Sequence, residues 1–450
     1  MTALAVCLLA LVGTYWAGKR SLGQGLVVLL IFGYFYGILR ANLLVVYSHF
    51  IFDAGLVGLY FSQFAGSSSE KEARGYAALR WWTAILVIWP MLMVLMPFQP
   101  LLVSLAGLRG GAFFIPILLL GGRLKEKDLV QMSYGLAVLN VIAVFFAVAE
   151  YFVGLARFYP LSPVTFLIYS SGDVAGGFFR IPAIFANAHA YGGAMVDSMP
   201  FLIGLWDHPN LRFSRPLALL GIGSALAGIL LSATRQNFIM GSLMVLVMFL
   251  PKGSAKKGRA RLILLVLVAA MGWTAATHER LQRFTSLSDT DYVSNRIAGS
   301  VNRGFWEILE QYPMGNGLGG GGTSIPYFLE GQVRNPIGME NGYALILCEQ
   351  GILGLLLWLA FIAWFFGSAR TAFAKSPWGS TRKMAWCLAA FSLGTAWIGL
   401  GLLNSIPGTL FLFLGMGWTV VKQKDSASTV MERLPSRFRQ YQTAYAHSAP

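Results

Sequence analysis

Long apolar runs separated by short polar connections fill most of the 450-residue chain. They read at about 2–18, 23–39, 43–64, 78–97, 99–121, 129–154, 190–206, 216–233, 236–251, 261–277, 341–366, 384–402 and 403–421. An α-helix needs about 20 mainly apolar residues to cross a bilayer core. The pattern therefore predicts an all-α polytopic membrane protein with about 12–13 transmembrane helices. Arg40 interrupts the second and third runs. Arg109 falls inside the fifth, which fits a broken or re-entrant segment. The expected organisation is ten transmembrane helices over residues 1–277 with a long connection at 155–189. A large, mostly helical loop over 278–340 follows, then three further helices over 341–421 and a polar tail over 422–450.

Composition narrows the class. Apolar residues make up 56% and charged residues 12%, with a mean hydropathy of +0.62. A soluble domain carries roughly 45–50% apolar and about 25% charged residues, so a soluble enzyme, a disordered chain and a collagen-like fibre are all disfavoured. The three cysteines, Cys7, Cys348 and Cys387, each lie in an apolar run, which argues against a disulfide framework. Residues 1–18 lack the basic segment that opens a cleavable signal peptide.

The net charge of +15 sits in alternate connections, as expected of positively charged cytoplasmic loops rather than of nucleic-acid binding. With thirteen spans, 24 of the 34 basic residues fall on one side, all eleven lysines among them. That side is expected to be cytoplasmic, together with the C-terminal tail and its contacts to membrane lipids. The opposite face holds nine basic residues, all arginines: Arg40, Arg157, Arg180, Arg235, Arg280, Arg283, Arg296, Arg303 and Arg334. A guanidinium grips phosphate or carboxylate through two parallel bonds, which an ammonium cannot do. A lysine-free, arginine-bearing face points to an anionic ligand.

Several segments could carry chemistry. Within the large loop, 294–311 fits an amphipathic helix on which Arg296, Arg303 and Glu307 share a face. Residues 315–322 hold six glycines in eight positions, consistent with either an anion-binding nest or a flexible hinge. The spacing of a nucleotide P-loop is absent. Glu340 stands at the expected outer boundary of a span, where partial desolvation suits a carboxylate to general-base work; a helix N-terminal acid is the plainer reading. Glu349, deeper in that span, needs a partner or a cavity. Two further segments precede spans: Arg180 through His189 to Gly193, and the polar turn Ser232-Ala233-Thr234-Arg235. No His/Asp cluster has metal-ligand spacing.

In this order the segments resemble the O-antigen ligase and polysaccharide polymerase superfamily, multispanning glycosyltransferases of bacterial envelopes. The matching elements are Arg180 to Gly193, the Ser232-x-x-Arg235 turn, Arg296 with Trp306, Pro313 and Gly315-Asn316-Gly317, then Glu340-Asn341-Gly342-Tyr343 and Gly351 to Gly354. The resemblance covers roughly 100–421 and departs at Glu340, where ligases of the family carry a histidine. It implies a GT-C-like fold in the bacterial inner membrane with the large loop periplasmic. It also implies a polyprenyl-diphosphate-linked oligosaccharide donor, held by Arg180, Arg235 and Arg296. Glu340 would take the proton of an acceptor sugar hydroxyl in an inverting displacement that needs no metal or other cofactor. Arg303, His189, Asn341 and Tyr343 are further substrate-binding candidates, and His189 and His278 are alternative bases. The absent histidine favours a polymerase over a ligase that transfers finished glycan to lipid A-core or protein. A flippase and a chain-length regulator are the expected protein partners. A lipid-linked-sugar transporter is the competing class; only Arg109 is a clear midspan charge and no inverted repeat is visible, which favours an enzyme.

Overall fold

A computed structural model describes residues 2–65, 75–170, 180–249, 305–322, 325–338, 341–369, 377–397, 399 and 406–421, with isolated positions between 266 and 295. The described residues form helices and connections, with no strand among them. In chain order the α-helices are α1 (Thr2–Arg20), α2 (Leu22–Tyr34), α3 (Tyr36–Leu43), α4 (Ile51–Phe64), α5 (Tyr76–Val94), α6 (Leu101–Gly111), α7 (Ile117–Arg123) and α8 (Glu126–Val153). They continue as α9 (Phe166–Ser170), α10 (Ala188–Asp207), α11 (Arg215–Ser232), α12 (Arg235–Phe249), α13 (Phe305–Gln311), α14 (Gly342–Ser368), α15 (Gly379–Thr395) and α16 (Gly408–Val420).

Among the described residues, five helical stretches are long and apolar enough to cross a membrane: α1, α5, α8, α14 and the segment Arg212–Ser232 that contains α11. The pair α2 and α3, bent by 49° where they meet, makes up to six. The chain is thus a helical membrane protein, with fewer self-sufficient spans than the apolar runs predict. The reason is local. The run over 43–64 becomes helical only at Ile51, after a 3-10 turn at Val46–Phe50. The run over 99–121 breaks at 112–116 between α6 and α7, as its internal arginine led us to expect. The thirteen-residue α16 is buried on every side, and α10 is buried at eighteen of its twenty positions. At 1.5 Å per residue, a helix as short as α16 cannot span a bilayer unaided. Its apolarity serves the protein interior. Most of the expected span at 261–277 lies outside the described residues.

One continuous core joins these helices. α1 packs on α4 and α2, α8 on α2 and α11, α10 on α11 and α15, and α16 on α7 and α15. A buried polar knot pins four of them together. Tyr34 of α2 donates to Asn140 Oδ1 at 2.7 Å. Asn140 Nδ2 of α8 donates to Ser198 Oγ of α10 at 2.9 Å and to the Gly221 carbonyl of α11 at 3.4 Å. In an apolar interior such bonds fix the register between helices, because an unpaired amide there is costly.

Candidate functional site

A cavity of about 1220 Å³ opens among these helices. Its walls come from seven separate stretches of chain: α3, the turn after it, the end of α6 with Phe114 beyond it, residues 161–169, the entry to α10, Gly322 with the segment Ile325–Glu330, and the start of α16 with Ile406 and Thr409. The polar groups facing it include Arg40, His49, Arg109, Asn187, Tyr327 and Glu330.

Arg109 is already committed. Its Nε donates to Asp53 Oδ2 at 2.6 Å, and its Nη2 donates to the His49 carbonyl at 3.3 Å. Asp53 opens α4, so this pair ties the broken segment of α6 to the helix beside it. Arg40 differs. Its guanidinium lies 5.9 Å from the centre of the Tyr36 ring, one turn back on α3. Its Nε is buried without a hydrogen-bond partner, and it forms no salt bridge with a described residue. His49 lies in the connection between α3 and α4, outside the spanning helices. Burial first, then Arg40 and Arg109, hold its imidazole down at about 3, so it is neutral at physiological pH. Tyr327 and Phe328 of the loop close over its ring, with centroids 5.7 and 5.6 Å away.

The entry to α10 is built by its neighbours. Ala183 N–H donates to Glu150 Oε2 at 3.0 Å, and the Tyr159 hydroxyl reaches the carbonyls of Ala183 and Phe185, each at 2.8 Å. Asn187 then caps α10 by accepting from the Ala190 N–H at 2.8 Å. Arg180 is 9% exposed. Its Nη1 lies 3.1 Å from His189 Nε2.

His189 links this segment to the polar turn, since Asn237 Nδ2 donates to its carbonyl at 3.1 Å and to Thr234 Oγ1 at 2.9 Å. Ser232 Oγ stands 3.0 Å from Thr234 Oγ1. Gln236 continues the chain of contacts to Thr395 at the end of α15, at 3.1 Å. The next residue, Ala396, accepts from Gly342 N–H at 2.7 Å. The structure therefore brings together three segments that are far apart in sequence: Arg180–His189, Ser232–Asn237 and Asn341–Tyr343.

Asn341 and Tyr343 spend their polar groups inside this framework. Asn341 Oδ1 accepts from the N–H groups of Tyr343 and Ala344, at 2.9 and 3.1 Å, and so caps α14. The Tyr343 hydroxyl donates to the Leu393 carbonyl at 2.7 Å. Arg235 opens α12 beside them, half-buried. Neither Arg180 nor Arg235 lines the large cavity; the arginines that do are Arg40 and Arg109. Glu340, Arg296, Arg303 and His278 lie outside the described residues, and of the helix expected over 294–311 the structure describes α13 and isolated helical positions before it.

The glycine run is neither a free hinge nor an open nest. Gly315, Gly317, Gly319 and Gly322 all take positive φ, and the loop they shape is clasped between α6 and α14. Asn316 N–H donates to the Cys348 carbonyl at 2.6 Å. Gln99 Nε2 donates to the carbonyls of Asn316 and Arg334, at 2.9 and 2.8 Å. Gly321 lies against Glu349 of α14: a Cβ built on it would meet Glu349 Oε1 at 3.2 Å. Glu349 is thus packed against this loop, with its Oε1 buried and making no hydrogen bond to a described residue.

Sequence reasoning passed over His49, Tyr36 and Asp53 as site residues. The signal was available: a histidine, an aspartate and two arginines inside or beside apolar runs are costly unless they meet one another or a cavity. No family model matches the chain, and no curated protein matches it.

Proposed function

We propose that this protein is a polymerase of a bacterial surface polysaccharide. It acts at the periplasmic face of the inner membrane and takes glycan from a polyprenyl-diphosphate donor. The observation that carries this reading is the large cavity beside Gly322 and the segment Ile325–Glu330, with the guanidinium of Arg40 on its wall and in no salt bridge with a described residue. A cation so placed favours an anion that enters the cavity, because the field of a charge is strong where water is sparse. The aromatic and hydroxyl groups of Tyr36, Tyr169 and Ser162 suit the faces and edges of sugars.

In this reading the donor's sugar occupies the cavity. Its diphosphate lies against Arg40, and Arg180, Arg235 and Arg296 are the further arginines proposed to hold it. An acceptor hydroxyl attacks the anomeric carbon. The new glycosidic bond forms as the bond to the diphosphate breaks, the proton passes to Glu340, and polyprenyl diphosphate leaves. The arginines balance the charge that develops on the leaving group, so the displacement inverts the anomeric centre without calling on a metal.

The test uses the full chain in detergent with a polyprenyl-diphosphate oligosaccharide, measuring polyprenyl diphosphate released and glycan extended. Arg40→Ala and Glu340→Gln are each expected to lower turnover by about 100-fold, the scale for losing one group aimed at developing charge. Full turnover in either variant removes that residue from its role. A wild-type protein that turns nothing over in detergent, yet moves the lipid-linked sugar across sealed vesicles, makes the protein a transporter.

A further inference from the structure

A second cavity, of about 590 Å³, lies between α1, α2 and α8 and takes no part in the reading above. Its lining follows helical spacing on all three walls. Gly13, Trp16, Ala17 and Arg20 recur at three, four and seven residues along α1; Gln24, Val27 and Val28 do so on α2; Gln131 and Tyr134 stand one turn apart on α8. Three helix faces therefore converge on one groove, and its ends differ. Toward the middle of α1 the floor is apolar, with Gly13, Ala17, Val27 and Val28. A Cβ built on Gly13 would meet Val28 Cγ1 at 3.6 Å, so the missing side chain leaves a slot of ordinary contact width. At the end of α1 the groove turns polar, with Arg20, Gln24 and Gln131.

The polar end has unspent donors. Arg20 is exposed, and it forms no salt bridge with a described residue. It stands in the last turn of α1, where the helix dipole favours a cation. Gln131 uses its side-chain oxygen to accept from Ser21 Oγ at 2.8 Å, and its amide N–H₂ makes no bond to a described residue. Trp16, one turn before Arg20 and 64% exposed, is the kind of residue that sits at the headgroup level of a bilayer. A groove with an apolar floor, an indole at the interface and an arginine at the headgroup end matches one class of ligand.

We propose that this groove binds an anionic phospholipid, with an acyl chain along Gly13, Ala17, Val27 and Val28 and the phosphate on Arg20, Gln24 and Gln131. The occupant is the bilayer lipid itself and not a soluble phosphate, because the floor offers apolar contact over two helical turns.

The test is native mass spectrometry of the full-length protein, delipidated in detergent and then incubated with phosphatidylglycerol or phosphatidylcholine. Wild type should retain phosphatidylglycerol about fivefold better, the effect of roughly 1 kcal/mol per basic group near an anionic headgroup. Arg20→Gln should abolish that preference. Gly13→Leu, which fills the slot, should lower retention of both lipids. Arg157→Gln removes the same charge beyond the far end of the 28-residue α8 and should leave retention at the wild-type level. Equal retention of the two lipids by wild type overturns the proposal. So does unchanged retention in Arg20→Gln and Gly13→Leu, or an equal loss in Arg157→Gln.

Discussion

Asp53 and Arg109 show why single side chains matter in so apolar a chain. Their side chains are 10% and 22% exposed and meet at 2.6 Å. Each would be expensive alone, and removing one partner of a buried pair leaves the other charge uncompensated at a cost of about 3–5 kcal/mol. Asp53→Asn is therefore expected to lower the thermal midpoint in detergent, and Asp53→Asn combined with Arg109→Gln to recover part of the loss. An unchanged midpoint in the single variant would mean that water reaches the pair. Arg40, which lines the same cavity, forms no salt bridge with a described residue, which is why it enters the proposed chemistry while Arg109 serves the scaffold. Both arginines are visible in the sequence as interruptions of apolar runs. Their different roles are not, because the carboxylate that distinguishes them lies 56 positions from Arg109 in the chain.

Among the helices, the clasp of the glycine loop on α6 and α14 is the feature most open to a single substitution. A Cβ on Gly107 would lie 2.2 Å from the backbone nitrogen of Gly319. The Leu318 carbonyl carbon, at 2.5 Å, is backbone as well, so neither contact can swing aside. Gly107→Ala should cost about 1–3 kcal/mol, the range for overpacking, and should speed tryptic cleavage after Arg334 in the loop. Gly223→Ala provides the comparison: nothing lies within 4 Å of its Cβ position, and alanine is the better helix former. Equal cleavage rates in the two variants would show that the loop does not depend on this approach. The glycine run is conspicuous in the sequence, yet its purpose could be read two ways. The answer required α14, whose Cys348 carbonyl holds Asn316 N–H and whose Glu349 packs against Gly321.

For the molecule as a whole, the proposed function requires the large cavity to open to the outside, the side that the distribution of lysine and arginine leads one to expect. In a chain with Cys7, Cys348 and Cys387 replaced by serine, Ala156→Cys near the cavity end of α8 should react with a membrane-impermeant maleimide applied to spheroplasts. Lys127→Cys at the other end of that helix should react only after lysis. The reverse pattern would turn the protein over and place the proposed chemistry in the cytoplasm.

The apolar runs and their scarcity of charge determined that the chain is helical and belongs in a membrane, because burying a backbone in lipid leaves few other solutions. Local order also foretold the break around Arg109. Which runs cross the membrane unaided, and which shelter inside the bundle as α16 does, depended on what packs around them. The same holds for the site. Arg180, Ser232 and Asn341 stand out individually along the chain, but their joining through His189, Asn237, Gln236 and Thr395 arises from contacts between helices. Sequence spacing fixes which side chains share one helix face. It cannot fix which faces of different helices meet, and it is there that charge, cavity and clasp acquire their meaning.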